Sequence, residues 1–514
     1  MTQLFSLSHL WRAEWISLTH VCHTWRNFAL SLPELWRRMY IQNSNISLDA
    51  LRTWIDRSAE TTLDIVVILR DADTTILEII LPLLPRMRTL ELALDKRVSL
   101  QQLPKPASAN IKSLKLRGNW PGPYVEWLPY ALDECFPRLE ELAMIILPSV
   151  FFMTANLDCR LWSLPSSLRT LRWDCVRITR SDFMQCLRQL PVLENLDLRL
   201  VEVPHHGPPI TRGHRTALPS LDFLQLDGTA ESQLVLLETI ELPATAHIRL
   251  TLRRTRYGTL RTGLSRIVSA AVRKLGQDGF QSLYLNYAVP VGTITVKAWR
   301  DLLNTDVMHT NFNQPCPKPA VDIVIHFFGE VFDNLEDGPG FAKELLQAFS
   351  LSSVRSLGLP YGVAPPLKLK SVYQKLHSVR DFGVFGHVSM TGRVNTIDHL
   401  VDILSTSEPG STIDEPVFPD LRNLFIRFID FAGYRDHDYR LFRDILARYL
   451  VKETQLKVVL KACEGLSRTG VDILREVALV EWDGEGRHVY STSRMDMQYQ
   501  TSRAIIEPAT PRFM

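Results

Sequence analysis

One short phrase returns along most of this 514-residue chain and limits the folds open to it: a proline or polar residue, an apolar one, two variable ones, then leucine-x-leucine. It reads LPRMRTLELAL from Leu84 to Leu94, ANIKSLKLRG from Ala109 to Gly118, FPRLEELAMI from Phe136 to Ile145, LPSSLRTLRW from Leu164 to Trp173, LPVLENLDLR from Leu190 to Arg199 and LPSLDFLQLDG from Leu218 to Gly228. Aligning Leu90, Leu114, Leu142, Leu171, Leu196 and Leu224 gives intervals of about 24 to 29 residues. Side chains alternate across a strand, so each leucine pair marks one face of a short strand. The rest of the unit must then bring the chain back so that the next pair stacks on the last. Looser copies follow: ATAHIRLTL at Ile248, FQSLYLNY at Leu283, VDIVIHF at Ile323, SSVRSLGLP at Leu357, HSVRDFGVF at Phe382 and FPDLRNLFIRF at Leu424.

In spacing and phrase this body resembles leucine-rich repeats, which implies an α/β solenoid over 76–485. It departs from them where regular repeats place an asparagine or cysteine to bond the turn backbone. Those positions hold Asp95, Asn119, Leu147, Val176, Val201 and Thr229. Ordinary α/β proteins with parallel strands also produce such phrases and remain the alternative. In a solenoid, the residue between the paired leucines faces solvent on the sheet. These positions are Glu91, Lys115, Ala143, Arg172, Asp197, Gln225, Arg249 and Tyr284, a chemically mixed strip that suits a polypeptide substrate better than a phosphate backbone.

At the N-terminal end, Trp15, Leu18, Cys22, Trp25, Ala29 and Leu32 recur at spacings of three and four, with Val21 and Phe28 beside them, which predicts one face of an amphipathic helix. Pro33 stops it, and Glu34 to Arg38 are expected to begin a second short helix. The run WISLTHVCHTWRNFALSLPELWRRMYI resembles the distal part of the F-box in the large fungal, basidiomycete-type F-box families, through Val21-Cys22, Trp25-Arg26, Ala29-Leu30 and Leu32-Pro33-Glu34-Leu35-Trp36. The next segment is also similar: Trp54-Ile55-Asp56-Arg57-Ser58 ends a helix that leads into a strand in which Leu63, Ile65 and Val67 alternate.

That resemblance implies a substrate-recognition adaptor of a cullin-type ubiquitin ligase. Leu18, Val21, Cys22, Trp25, Leu32, Pro33, Leu35 and Trp36 would meet a Skp-type linker subunit, and the solenoid would hold a protein substrate. The usual opening, leucine-proline followed by an acid and an aliphatic helix, is missing from MTQLFSLSHLWRAE. Either the chain starts inside the domain or Leu4, Phe5, Leu7 and Leu10 form a degenerate substitute. The alternative is a leucine-rich-repeat scaffold without a ubiquitin role, its head acting only as a cap. The expected organisation is α/β: an F-box-like helical head over 1–45, a connecting helix and first strand over 46–75, the solenoid, and a disordered tail over 486–514.

Composition narrows the functions. Lysine and arginine number 58 against 56 aspartates and glutamates, a formal charge of +2, so no global field argues for nucleic acid or an anionic membrane. The seven cysteines are scattered without a CxxC pair, as expected of reduced thiols in the cytoplasm or nucleus. Arg12 and Glu14 interrupt any secretory leader, and the apolar run from Leu142 is broken by Pro148, so neither export nor a membrane span is expected. No Walker loop, GxSxG elbow, HExxH or glycine-rich dinucleotide turn occurs, so no enzyme activity and no cofactor is expected. His20, Cys22 and His23 diverge around a helix and cannot converge on one metal. His205-His206 and the acidic 330–340 stretch read as surface loops; in the basic stretch 252–274 the spacing of Ile267, Ala270, Ala271 and Lys274 points to a helix, whose basic face is read as solvated, with a phosphate or acidic-peptide contact as the alternative.

Overall fold

Each leucine-x-leucine phrase forms a strand, because its apolar residues can be buried on one side only if the backbone is extended and paired. The computed structural model describes residues 22–42, 46–69, 75–94, 110–118, 132–146, 155–156, 163–174, 176–200, 215–252, 257–276, 279–288, 293–303, 308, 317–326, 346–360, 372–373, 375–385, 397–404, 416–427, 429, 431, 434–451 and 455–484. They belong to a mixed α/β fold in two compact units. The first comprises Met1–Asp301 with Pro317–Leu351, and the second Leu302–Cys316 with Ser352–Met514. The division falls inside the span expected as one body.

In the first unit, nine strands lie parallel and side by side in chain order: Arg38–Gln42, Leu63–Leu69, Met87–Leu94, Ser113–Gly118, Glu141–Ile146, Thr170–Asp174, Asn195–Arg199, Phe223–Gly228 and His247–Leu252. Their register is set by the phrase. Ile65, Leu90, Leu114, Leu142, Leu171, Leu196, Leu224, Ile248 and Val321 are direct cross-strand partners in turn, and all are buried. A second buried rung runs two residues on, through Leu92, Leu116, Met144, Trp173, Leu198, Leu226, Leu250 and Ile323.

Chain order then breaks. The neighbour of His247–Leu252 is Val321–His326, parallel to it, followed by Thr293–Trp299 and Ser282–Ala288, each antiparallel to the one before. Only four residues separate Ser282–Ala288 from Thr293–Trp299, too few for a parallel crossover, so the chain must double back. This also corrects the phrase at Ile323: Val321 is the partner of Ile248, so the alignment was two residues late.

Among the described residues, local polar groups tie the turns. Thr229 caps the helix Ala230–Thr239, accepting the N–H of Ser232, and Thr179 caps Arg180–Arg188 in the same way. The buried amide of Gln233 donates to the carbonyl of Thr251 at 2.7 Å and closes the end of a strand. The basic stretch does form a helix, Tyr257–Leu275, with Ile267, Ala270 and Ala271 buried and the Lys274 Nζ donating to the Ile240 carbonyl at 2.6 Å.

The head differs from the expectation. Cys22 has extended backbone and caps a helix that begins only at His23 and ends at Leu30, so it interrupts any helix running on from Trp15. Pro33–Leu35 is a single 3-10 turn, and Arg38 opens the first strand of the sheet where a second helix was expected. That strand, rather than Leu63–Leu69, is the first. The helix Leu48–Arg57 and the strand after it fall where the sequence placed them. Trp36 is 5% exposed and meets Trp54 edge to face at 5.7 Å, while the Trp54 indole donates to the Trp36 carbonyl at 2.8 Å and Arg57 lies over the Trp36 ring.

The second unit repeats the parallel pattern in chain order with Ser356–Pro360, Asp381–Phe385, Asn423–Arg427, Lys457–Lys461 and Leu479–Trp482. Leu357, Phe382, Leu424, Val458 and Val480 form its buried rung. Its helices Asp436–Ala447 and Arg468–Arg475 approach so closely at Gly470 that an added Cβ would lie 2.5 Å from the buried ring of Tyr439. Among the described residues no helix is long and apolar enough to cross a membrane.

The register makes a direct prediction. Leu171→Ala, on the buried rung, should cost about 2–5 kcal/mol in urea unfolding, whereas Arg172→Ala, one residue on and facing outward, should cost under about 1 kcal/mol. Equal losses would mean the face assignment is wrong.

Candidate protein-recognition face

Alternation along each strand turns every residue between two rung leucines to the opposite face. Glu91, Lys115, Ala143, Arg172, Asp197, Gln225 and Arg249 are accordingly cross-strand partners in one unbroken row. The row continues through Asp322 and Lys297 to Tyr284, because the inverted strands interpose two residues that the sequence reading missed. Arg249 is exposed, and Glu91, Lys115, Arg172, Asp197 and Gln225 are half-buried.

Two expected members are not presented to solvent. Ala143 is buried, its short side chain lying in the row between the longer Lys115 and Arg172. Tyr284 is 8% exposed, on a strand two antiparallel steps beyond the parallel succession, and burial pushes its phenol above the ordinary tyrosine range.

The charges are largely paired with one another. Arg117 Nε lies 3.0 Å from Glu91, Lys115 Nζ 2.9 Å from Glu141, and Arg172 2.9 Å from Asp174 and 3.6 Å from Asp197, which Arg199 also meets at 2.9 Å. The Asp174 hydrogen bond, with Asp174 and Asp197 as neighbouring anions, holds the Arg172 guanidinium above its ordinary pKa. Arg117, Glu141, Asp174 and Arg199 extend the face beyond the row. The signal that would have found them is the period of two: each sits two places along its strand from the row residue. The more exposed pairs, Arg117 with Glu91 and Lys115 with Glu141, contribute only about 0–1 kcal/mol each. A partner bringing its own charges can therefore exchange them at low cost.

Asp322 differs. Its side chain is 15% exposed, its Oδ2 is 3.7 Å from Arg249 Nε, and its Oδ1 is buried without a hydrogen-bond partner among the described residues. Burial pushes its carboxyl up, against the opposing pull of Lys297 and Arg249.

The described head residues differ in exposure. Cys22 is exposed, its Sγ accepting the Trp25 N–H at 3.4 Å; Trp25, Leu32, Pro33 and Leu35 are half-buried; Trp36 is turned inward. Leu18 and Val21, like His20, His205-His206 and the 330–340 stretch, lie outside the described residues. Phe28 is 47% exposed, 5.9 Å from the Trp25 ring, and makes an aromatic pair with it on the helix.

Among the described residues no group of three histidine, cysteine, aspartate or glutamate side chains is placed to hold a metal. A shallow groove of about 360 Å³ lies between the helices Ala230–Thr239 and Tyr257–Leu275, where Arg266 and Arg273 flank Ser269 and face Glu238. No protein-family model matches the sequence, and no curated protein matches it significantly.

The raised carboxyl of Asp322 gives a signed prediction. A folded-state pKa above the unfolded one favours folding below the unfolded value, and that contribution is lost as pH rises through the folded value. Asp322→Asn should therefore raise the melting temperature at pH 7, and the gain over wild type should shrink towards pH 4. A gain that persists at pH 4 would show that the charge is not its cause.

Proposed function

We infer that this chain is an interaction protein without catalysis of its own, which recognises a polypeptide on the outward face of the first unit's sheet. The observation that carries this is the single row from Glu91 to Lys297, one side chain per strand, with cations and anions interspersed. A nearly neutral, self-paired surface exerts no field on a polyanion, whereas a segment carrying both signs can replace the pairs one for one. Within each unit the strand succession supports a leucine-rich-repeat-like reading, with an inverted stretch in the first.

For the head, the preferred reading is an adaptor that engages a Skp-type linker of a cullin ubiquitin ligase. The Trp25–Phe28 pair supports it, with Phe28 exposed and Trp25 half-buried, an aromatic pair left partly in water on a short helix. The second reading, a cap on the solenoid, is favoured by a different observation. Trp36 packs against Trp54, and Arg37, Arg38 and Arg88 gather within 4 Å of the buried carboxylate of Asp64. This part of the head is built into the sheet.

One measurement separates the two. Purified linker subunit should be retained by immobilised full-length chain, and Trp25→Ala with Phe28→Ala should lower that retention at least tenfold without changing the melting temperature. Retention that survives both substitutions, or none by the wild type, removes the ligase role and leaves the cap. Trp36→Ala is unsuited, because it opens a core position and is expected to cost about 3–5 kcal/mol. For the face, a photo-crosslinker at Gln225 should trap a protein partner that Asp197→Arg releases, and one at Glu231, on the helix behind, should not. Equal trapping from both positions would place recognition elsewhere.

A further inference from the structure

In parallel strands set side by side, the residue just before each strand falls in line with its counterparts, about 4.8 Å apart. In the first unit that line reads Arg88, the second residue of Met87–Leu94, and then Lys112, Glu140, Arg169, Glu194 and Asp222, each just before its strand and each donating its backbone N–H to the carbonyl of the one before. Both signs occur, and they close on one another. Arg88 lies 3.0 Å from Asp64, Lys112 2.7 Å from Glu140, and Arg169 pairs with Glu194.

The corresponding line of the second unit has one sign. Arg380 donates its N–H to the carbonyl of Arg355 at 2.7 Å, and Arg422 donates to that of Arg380 at 2.8 Å, so three arginines stand abreast on adjacent strands. Arg355 and Arg422 are exposed and Arg380 is half-buried. Among the described residues, none of the three has a carboxylate within ion-pair distance. The nearest anion in sequence and register is Asp381, half-buried, whose Oδ1 accepts from the amide of Asn423 at 2.6 Å. Burial pushes the Asp381 carboxyl up while Arg380 and Arg422 pull it down, so its charge reaches at least these two.

Like charges directly opposite on neighbouring strands destabilise a sheet. Asp381 offsets one of three, and folding alone therefore gives no reason for the line. A guanidinium presents a rigid fork of donors that matches oxyanions, and a phosphate monoester carries about 1.5–2 negative charges at pH 7, close to the excess left here. The groove at Arg266 and Arg273 is a weaker candidate, since Glu238 lines it and Arg273 Nε already donates to the Ser269 carbonyl.

We propose that Arg355, Arg380 and Arg422 bind a phosphate monoester, either free or carried on a polypeptide side chain. The test uses the full chain at fixed ionic strength, titrated with inorganic phosphate, with a random phosphoserine peptide pool and with its unphosphorylated counterpart. Saturable phosphate binding is expected, at least tenfold weaker in Arg380→Gln/Arg422→Gln, partly kept in Arg380→Lys, and unchanged in Arg169→Gln of the other line. Should the double variant unfold, Arg355→Gln gives the same reading. Phosphopeptides binding more tightly than inorganic phosphate would place the phosphate on a polypeptide, and equal affinities would make it a free ester. No saturable binding by the wild type, or the same binding by the glutamine variants, overturns the proposal.

Discussion

Everything in the first unit depends on aliphatic side chains stacking across parallel strands. Leu90, Leu114, Leu142, Leu171, Leu196 and Leu224 touch their cross-strand partners and are removed from water together. Each fully buried leucine contributes about 1.5–3 kcal/mol relative to exposure. Because the side-chain period is two, burying these residues fixes the outward aim of Glu91, Lys115, Arg172 and Asp197 without further instruction. A one-residue slip would bury charges and expose leucines at every rung, so apolar packing holds the charged row in place.

That coupling gives the two faces different tasks. The apolar face carries the energy and has little freedom to vary. The outward face contributes little to stability, since its half-exposed pairs are weak, and can hold almost any polar pattern. In the first unit that freedom appears as interleaved charges that neutralise one another. The strand starts of the second unit are a third environment: there, two places before each rung residue, three arginines stand in a line with one half-buried aspartate beside them.

Much of this was legible in the chain, and what was not has physical reasons. The phrase located the rung residues and, through alternation, the members of the row from Glu91 to Arg249. It could not show that the strands after Leu252 would be laid down in inverted order, because strand identity depends on local pattern while neighbour choice depends on connection length. Asp322 and Lys297 were therefore missed, and Tyr284 was expected in solvent. The head misled for a related reason. Tryptophans at helical spacing suggested a continuous helix, but the extended backbone at Cys22 ends that geometry, and Trp36 finds Trp54 eighteen positions on. Gln233 gave no signal at all: its role, holding a strand-end carbonyl, exists only once Thr251 is beside it.

The inverted stretch also affects how the molecule can be made. During synthesis the first nine strands can be added to the sheet one after another as each leaves the ribosome. His247–Leu252 cannot be followed in this way, because its neighbour, Val321–His326, comes after both strands that will lie beyond it. Until that segment emerges, the nascent sheet ends in an open row of peptide groups with Ile248 and Leu250 uncovered on one side. The interval is a window in which a chaperone, or the same edge of another nascent chain, could occupy the vacant place.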